Sequence, residues 1–104
     1  MNIVVLVTAK DETEAGVIAQ GLVEAQLAAC VNIVSGVESK FWWDGKVDTA
    51  QEVLLVIKTA ENLFEQLTEK VEELHSYDVP EVIALPIVKG SEQYLKWIND
   101  SVKK

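Results

Sequence analysis

Three side-chain types are scarce or missing in this 104-residue sequence. It contains no arginine, one cysteine and one histidine, and its 9 lysines face 17 acidic residues, for a formal net charge of −8. Such a chain repels phosphate backbones and lacks the guanidinium fork that clamps phosphate or reads guanine edges. We therefore expect no nucleic-acid partner and no docking on an anionic membrane.

The single cysteine, Cys30, and the single histidine, His75, exclude structures that need several such residues. One thiol forms no internal disulfide, which favours a reducing, cytoplasmic location, and one Cys with one His forms no zinc finger. The longest uncharged stretch, residues 25–37, has 13 residues and is too short to cross a bilayer as a helix. The apolar run over residues 3–7 is also too short for a signal peptide.

The sequence contains a regular succession of strand and helix patterns within one domain spanning residues 1–104. A β-branched run at the N-terminus predicts a strand, and Asp11 predicts the cap of a helix. Asp44-Gly45 predicts a type I′ turn between two long strands. The strands are predicted over 2–9, 29–43, 46–59 and 82–88, and the helices over 11–26, 61–75 and from 91 onward. The order β-α-β-β-α-β followed by a helix predicts a ferredoxin-like α+β fold.

The predicted β-hairpin is longer than the body of its domain. Strands of about 14 residues extend ~46 Å, whereas a compact chain of this length is roughly 34 Å across. The tip carries Phe41, Trp42 and Trp43. Because side chains alternate along a strand, we expect Phe41 and Trp43 on the same face as Val31, and Trp42 on the same face as Cys30. Either the rings fold back on their own core or another subunit covers them. The overhang favours oligomerisation through the hairpin, and we expect the bases of both strands to lie in the centre of the sheet.

Few residues of the sequence could carry chemistry. His75 ends the second predicted helix, so it is either a helix cap or a polar ligand with carboxylates nearby. Cys30 has small and β-branched neighbours, which favours a buried structural thiol. Glu52 and Lys58 share one face of a strand, either in solvent or lining an intersubunit cleft. Nucleophilic Cys–His catalysis would need a third orienting group and an oxyanion hole, and the sequence indicates neither.

Four segments together resemble the CutA family, the divalent-cation tolerance proteins. They are LAACVN at 27–32, WDGK at 43–46, IKT at 57–59 and HSYDVPEVIALPI at 75–87. The similarity runs through essentially the whole chain. It implies a ferredoxin-like subunit in a tight homotrimer that exchanges hairpins between neighbours. It implies no catalytic activity.

The resemblance leads to two functional hypotheses. The first is a non-enzymatic protein that binds divalent metal ions, copper or zinc, without an organic cofactor, and serves metal tolerance. Its metal ligands would be His75, with Cys30, Asp78 and Glu81 as helpers. The alternative is a regulatory module, similar in trimer shape to the PII signalling proteins, that senses a small molecule in the intersubunit clefts. These clefts would be lined by Trp43, Glu52, Lys58 and Tyr77.

The sequence also departs from the CutA pattern. Ser76 replaces a proline after the histidine, and Phe41 stands where a tyrosine is common. Some members have a cysteine and a second histidine, proposed as copper ligands, where this chain has Val7 and Leu74. Because only His75 remains of that set, we expect metal binding to be weaker or shared between subunits.

Overall fold

The computed structural model describes all 104 residues, as a four-stranded antiparallel sheet with the first two helices packed on one face. The elements are β1 (Asn2–Ala9), α1 (Glu12–Glu24), β2 (Cys30–Trp43), β3 (Lys46–Ala60), α2 (Phe64–Leu74, after a 3-10 turn over Glu61–Leu63), β4 (Ile83–Pro86) and α3 (Glu92–Ser101). The sheet order is β2-β3-β1-β4, with every neighbouring pair antiparallel. The predicted ferredoxin-like α+β fold with a long hairpin and an extra C-terminal helix is confirmed.

Local interactions define the helix ends. The Asp11 carboxylate accepts a hydrogen bond from the backbone N–H of Glu14 at 2.8 Å, which caps α1 as predicted. The helix ends at Glu24, two residues earlier than expected, because Gln26 takes a left-handed φ of 56° that no α-helix continues. None of the helices combines the length and apolar character that crossing a membrane requires.

The core lies between the sheet and the helices. Odd-numbered residues of β1 and β3 point to this side because side chains alternate along a strand. With α1, α2 and the residue after α3, they form a buried cluster that includes Val5, Val7, Leu55, Ile57, Ile18, Leu22, Leu67, Val71 and Val102. Full burial of one such aliphatic side chain contributes about 1.5–3 kcal/mol, so this face is the main source of stability within the chain.

The opposite side of the sheet is not covered by α1 or α2, and only α3 reaches it, at the end where Asn2 donates a hydrogen bond to the carbonyl oxygen of Leu95. We call it the open sheet face; its residues include Val4, Leu6, Thr8, Val34, Leu54, Val56, Lys58, Ile83 and Leu85. Val34, Ile83 and Leu85 expose 44%, 51% and 50% of their surface. A contiguous apolar surface of this kind is typical of an interface.

The hairpin combines a tight turn with a β-bulge. Asp44 and Gly45 both have positive φ, 53° and 79°, so the predicted type I′ turn is confirmed. The register shifts by one residue between Val34 and Val37, where two residues of β2 face one of β3. Gly36 lies in this bulge with a φ of 77°, which glycine adopts without steric cost.

The bulge overturns the predicted face assignment of the tip. Because β2 gains one residue against β3, Phe41 and Trp43 lie on the side of Cys30, not of Val31, and Trp42 lies on the core side. The predicted central position holds for β3 only, since β2 is an edge strand.

The hairpin extends the molecule along one axis, as its length predicted. The chain measures 44 × 26 × 22 Å along its principal axes. Trp42 and Trp43 expose 76% and 66% of their surface, so these indoles do not fold back on the core of their own chain.

Candidate functional site

A cleft of about 780 Å³ lies between the outer half of the hairpin and the segment that follows α2. We call it the hairpin cleft. Its walls combine acidic, aromatic and small polar residues with a single lysine. The lining residues are Thr8, Ser39, Lys40, Phe41, Trp43, Asp48, Glu52, Tyr77, Asp78, Val79 and Glu81. The volume is within the range of small-molecule sites.

The bulge in β2 places aromatic rings and a carboxylate in the same cleft. Val37, directly after the bulge, pairs with Glu52, and Phe41 and Trp43 follow at two-residue steps on the same face. Without the extra residue, simple alternation would place these two rings on the core side of the sheet. The type I′ turn then keeps Trp43 in register with Lys46 on the returning strand.

Tyr77 and Glu52 connect the two walls of the hairpin cleft. The Tyr77 hydroxyl donates a hydrogen bond to Glu52 Oε2 at 2.9 Å. Burial raises the pKa of Tyr77 to about 12, and the hydrogen bond to Glu52 and its negative charge act in the same direction. The phenol therefore stays protonated and remains a donor at neutral pH.

Two carboxylates of the hairpin cleft influence each other. Burial, and then the negative charge of Glu52, raise the pKa of Glu81 above its ordinary value of 4.5. Asp48 and Asp78 add negative charge, and Lys40 is the only cation in the lining. A bound cation would relieve this repulsion, so the cleft favours positively charged ligands.

Glu14 of α1, a residue that the sequence did not single out, anchors the segment after α2 through the backbone of Ser76. Its carboxylate is nearly buried, with 8% exposure, and accepts hydrogen bonds from the backbone N–H groups of Lys10 at 2.9 Å and Ser76 at 2.6 Å. Burial alone would raise the pKa of Glu14, but these hydrogen bonds hold it below 4.5. The only sequence signal for this role is an acid three residues after the helix cap.

His75 is part of the same buried network. Its side chain is fully buried, with Nε2 2.7 Å from the carbonyl oxygen of Thr8 and Nδ1 accepting from the backbone N–H of Tyr77 at 3.0 Å. Nδ1 also lies 3.7 Å from Glu14 Oε1. The backbone N–H of His75 closes the last turn of α2 on Val71, as a helix-ending residue does. In this arrangement neither ring nitrogen is available to a metal ion.

The predicted metal-ligand set is not assembled within one chain. Asp78 and Glu81 line the hairpin cleft, His75 lies behind it with both nitrogens engaged, and Cys30 lies at the base of the hairpin. No group of three or more His, Cys, Asp or Glu side chains is arranged to hold a metal ion. Of the four predicted ligands, only Asp78 and Glu81 line the same cleft, and both belong to the segment after α2.

Three of the four residues predicted to bind a small molecule line the hairpin cleft. Trp43, Glu52 and Tyr77 line the hairpin cleft, whereas Lys58 does not. Lys58 pairs with Cys30 across β2 and β3, and six residues of strand separate it from Glu52, or roughly 20 Å. Cys30 itself is half-buried, not fully buried as predicted, with Sγ 4.0 Å from Asn32 Oδ1.

The geometry of His75 predicts its tautomer. The Thr8 carbonyl can only accept a hydrogen bond and the Tyr77 N–H can only donate one, so we expect a neutral imidazole protonated at Nε2 and bare at Nδ1. Long-range ¹H–¹⁵N correlation spectra at pH 7.5 would identify this form. Adding Zn²⁺ at a few equivalents should leave these resonances unchanged. A metal-induced shift at either ring nitrogen would contradict the assignment.

Comparison with known proteins identifies relatives of the whole chain. The family described as CutA1 divalent ion tolerance protein matches residues 3–101. A curated relative from Thermus thermophilus, a divalent-cation tolerance protein CutA, is 48% identical over 97% of this chain and 98% of its own length. A solved structure of the divalent cation tolerance protein from that organism superposes with a TM-score of 0.97, covering 99% of this chain and all of the other.

A plant relative is longer than this chain. Protein CutA 1, chloroplastic, from Oryza sativa is 50% identical over 99% of this chain, which spans only 58% of the relative's length. The part shared with that protein is therefore the ferredoxin-like domain described above.

Proposed function

This chain belongs to the CutA1 family of divalent ion tolerance proteins, and on that premise we propose that it is a non-enzymatic homotrimer that binds divalent metal ions for metal tolerance. The observation that carries the proposal is the pair of carboxylates, Glu52 and Glu81, whose mutual repulsion in the hairpin cleft a cation would relieve. The Tyr77 hydroxyl holds Glu52 in position by donating a hydrogen bond to it.

The donor atoms limit which metal fits the cleft. Glu52, Asp78 and Glu81 offer carboxylate oxygens, which suit Mn²⁺, Mg²⁺ and Ca²⁺ and also occur as ligands of Zn²⁺. The soft thiolate that favours Cu(I) lies outside the cleft at Cys30. Since no three of these side chains are arranged to hold one ion within the chain, we propose weak binding, or a site completed by an adjacent subunit.

Two features support the proposed homotrimer. The open sheet face leaves apolar residues such as Ile83 and Leu85 half exposed, and the hairpin tip exposes Trp42 and Trp43. Covering both surfaces would remove their apolar area from water, which is the main driving force for association. We further propose a cytoplasmic location, because a single free thiol is compatible with a reducing compartment.

Metal titration with matched variants tests the proposed cation site. We expect Zn²⁺ or Mn²⁺ to bind the wild type in isothermal titration calorimetry. Glu52→Gln and Glu81→Gln should each weaken binding at least about tenfold, a loss seen even when a residue only supports a metal ligand. Glu72→Gln removes the same charge from the exposed surface of α2 and should leave the affinity unchanged. Equal affinities in all four proteins, or no binding to the wild type, would overturn the proposal.

A regulatory role with a small organic ligand is a second candidate. It is favoured by the aromatic rings of Phe41, Trp43 and Tyr77 in a cleft of about 780 Å³. Native mass spectrometry of freshly purified protein distinguishes the two functions. An organic species retained by the wild type and lost in Trp43→Ala would support the sensor, whereas a species of metal mass, retained in Trp43→Ala, would support metal binding.

A further inference from the structure

Lys58 lies in an apolar row of the open sheet face. The row runs across the four strands through Cys30, Lys58, Val4 and Leu85. Leu85 is 50% exposed, and Lys58 itself is only partly exposed. An ammonium among such neighbours loses part of its hydration, and this loss costs free energy unless an anion compensates it.

No carboxylate of the chain provides that compensation. The chain has two partly buried lysines, Lys70 and Lys58. The first forms an ion pair with Glu73 at 3.7 Å, whereas Lys58 contacts the side-chain oxygen of Asn32 and no carboxylate within 4.0 Å. In a chain with 17 acidic residues against 9 lysines, the partly buried cation on the open sheet face is thus left without a counter-ion.

The groups around Lys58 are hydrogen-bond donors. Because the Asn32 oxygen is directed to Lys58, the amide Nδ2 points away, and it forms no hydrogen bond within the chain. Tyr94 of α3 reaches the same place and contacts Cys30; burial, followed by that thiol, raises the pKa of Tyr94, so its hydroxyl stays protonated. The ammonium and the amide therefore lie together at one end of the open sheet face, and the Tyr94 phenol lies beside Cys30, the cross-strand neighbour of Lys58.

We propose that Lys58, Asn32 and Tyr94 form an anion site that takes a carboxylate group. A carboxylate would accept charge-assisted hydrogen bonds from Lys58 and further bonds from the amide and the phenol. The carboxylate comes either from a small organic acid in solution or from an acidic side chain of a second copy lying on the open sheet face. The site is separate from the hairpin cleft, because the Lys58 ammonium repels metal ions and Lys58 lies roughly 20 Å from Glu52 along β3.

Side-chain NMR of the assembled protein tests this site, with sodium succinate as the probe and sodium chloride at equal ionic strength as the reference. We expect a saturable shift of the Lys58 ammonium resonances with succinate. The apparent affinity should fall at least about tenfold in Lys58→Gln, because a charge-assisted hydrogen bond is lost. Lys89→Gln removes the same charge from an exposed position and should leave the binding unchanged.

The second source of the carboxylate gives a different result. If a second copy supplies the carboxylate, succinate has no effect and the Lys58 ammonium protons exchange slowly. In isotope-filtered spectra of mixed-labelled protein, these protons then correlate with the side-chain CH₂ protons of an acidic residue of the other copy. Fast-exchanging Lys58 protons together with a succinate response no larger than that to chloride would overturn the proposal, whatever the metal titrations of the hairpin cleft show.

Discussion

Glu14→Gln should lower the free energy of unfolding by about 2–3 kcal/mol at pH 7, because a nearly buried carboxylate that accepts two backbone hydrogen bonds is replaced by an amide. The amide has one oxygen for two N–H donors, so its own NH₂ must face either Lys10 or Ser76. One buried backbone donor is then left without a partner. Urea denaturation of the wild type and the variant measures the difference.

The effect of Glu14→Gln should depend on pH in a defined direction. The pKa of Glu14 is lower in the folded chain than its ordinary value of 4.5, so its carboxylate stabilises the fold above that pH. This contribution is lost as the pH falls through the folded pKa, and the gap between wild type and variant should narrow below about pH 4.5. Glu12→Gln removes a charge from an exposed position in the same helical turn and should change stability by less than about 0.5 kcal/mol. Equal stability of the Glu14 variant and the wild type at pH 7 would contradict the network.

The same change should also loosen the hairpin cleft. Glu14 and His75 hold the start of the segment that carries Tyr77, Asp78 and Glu81 into the cleft. Precise placement of binding groups depends on such supporting contacts. A folded Glu14→Gln protein should therefore bind divalent cations more weakly than the wild type, although Glu14 does not line the cleft.

Leu85→Glu should dissociate the proposed homotrimer. Leu85 lies on β4 in the open sheet face, half exposed within the chain and next to Val4. A carboxylate placed there is desolvated, and Lys58 of the same row lies two strands away, roughly 10 Å, too far for an ion pair, so the charge costs several kcal/mol per subunit contact. We expect the wild type to sediment at three times the 11.5 kDa chain mass and the variant at one chain mass.

A surface control separates assembly from a general effect of added charge. Val17→Glu introduces the same carboxylate on the exposed side of α1, away from the open sheet face, and should leave the mass unchanged. Since Leu85 is outside the buried core, both variants should keep the far-ultraviolet circular dichroism of the wild type. A wild-type protein that sediments as a single chain at micromolar concentration would refute the homotrimer itself.

Of the eight candidate site residues, five line the hairpin cleft and three lie outside it. Trp43, Glu52, Tyr77, Asp78 and Glu81 line one cleft, whereas Cys30, Lys58 and His75 lie elsewhere. The sequence identified the hairpin and the segment 75–81 as separate motifs, but not which of their side chains meet. The hydrogen bond between Tyr77 and Glu52 joins residues 25 positions apart, and that between His75 and Thr8 spans 67 positions. Contacts between residues so far apart in the chain leave no pattern in the local sequence.

In the hairpin, too, one feature could be predicted from the sequence and another could not. The Asp44-Gly45 turn was predictable because its residue types allow positive φ at both positions. The bulge was not predicted, because Gly36 and its neighbours can also continue a regular strand. One extra residue therefore changed the face on which Phe41 and Trp43 lie, and with it the composition of the hairpin cleft.

The order of strands and helices, the hairpin turn, the excess of negative charge and the resemblance to the CutA family could all be read from the amino-acid sequence. These follow from residue types and from periodicities of two and 3.6 residues, which depend on near neighbours in the chain. The folded chain was needed to show that both ring nitrogens of His75 contact Thr8 and Tyr77, that Glu14 anchors the segment after α2, and that Lys58 has no counter-ion within the chain. Those outcomes depend on strand register and on the packing of distant segments, where one residue more or less moves a side chain to the other face.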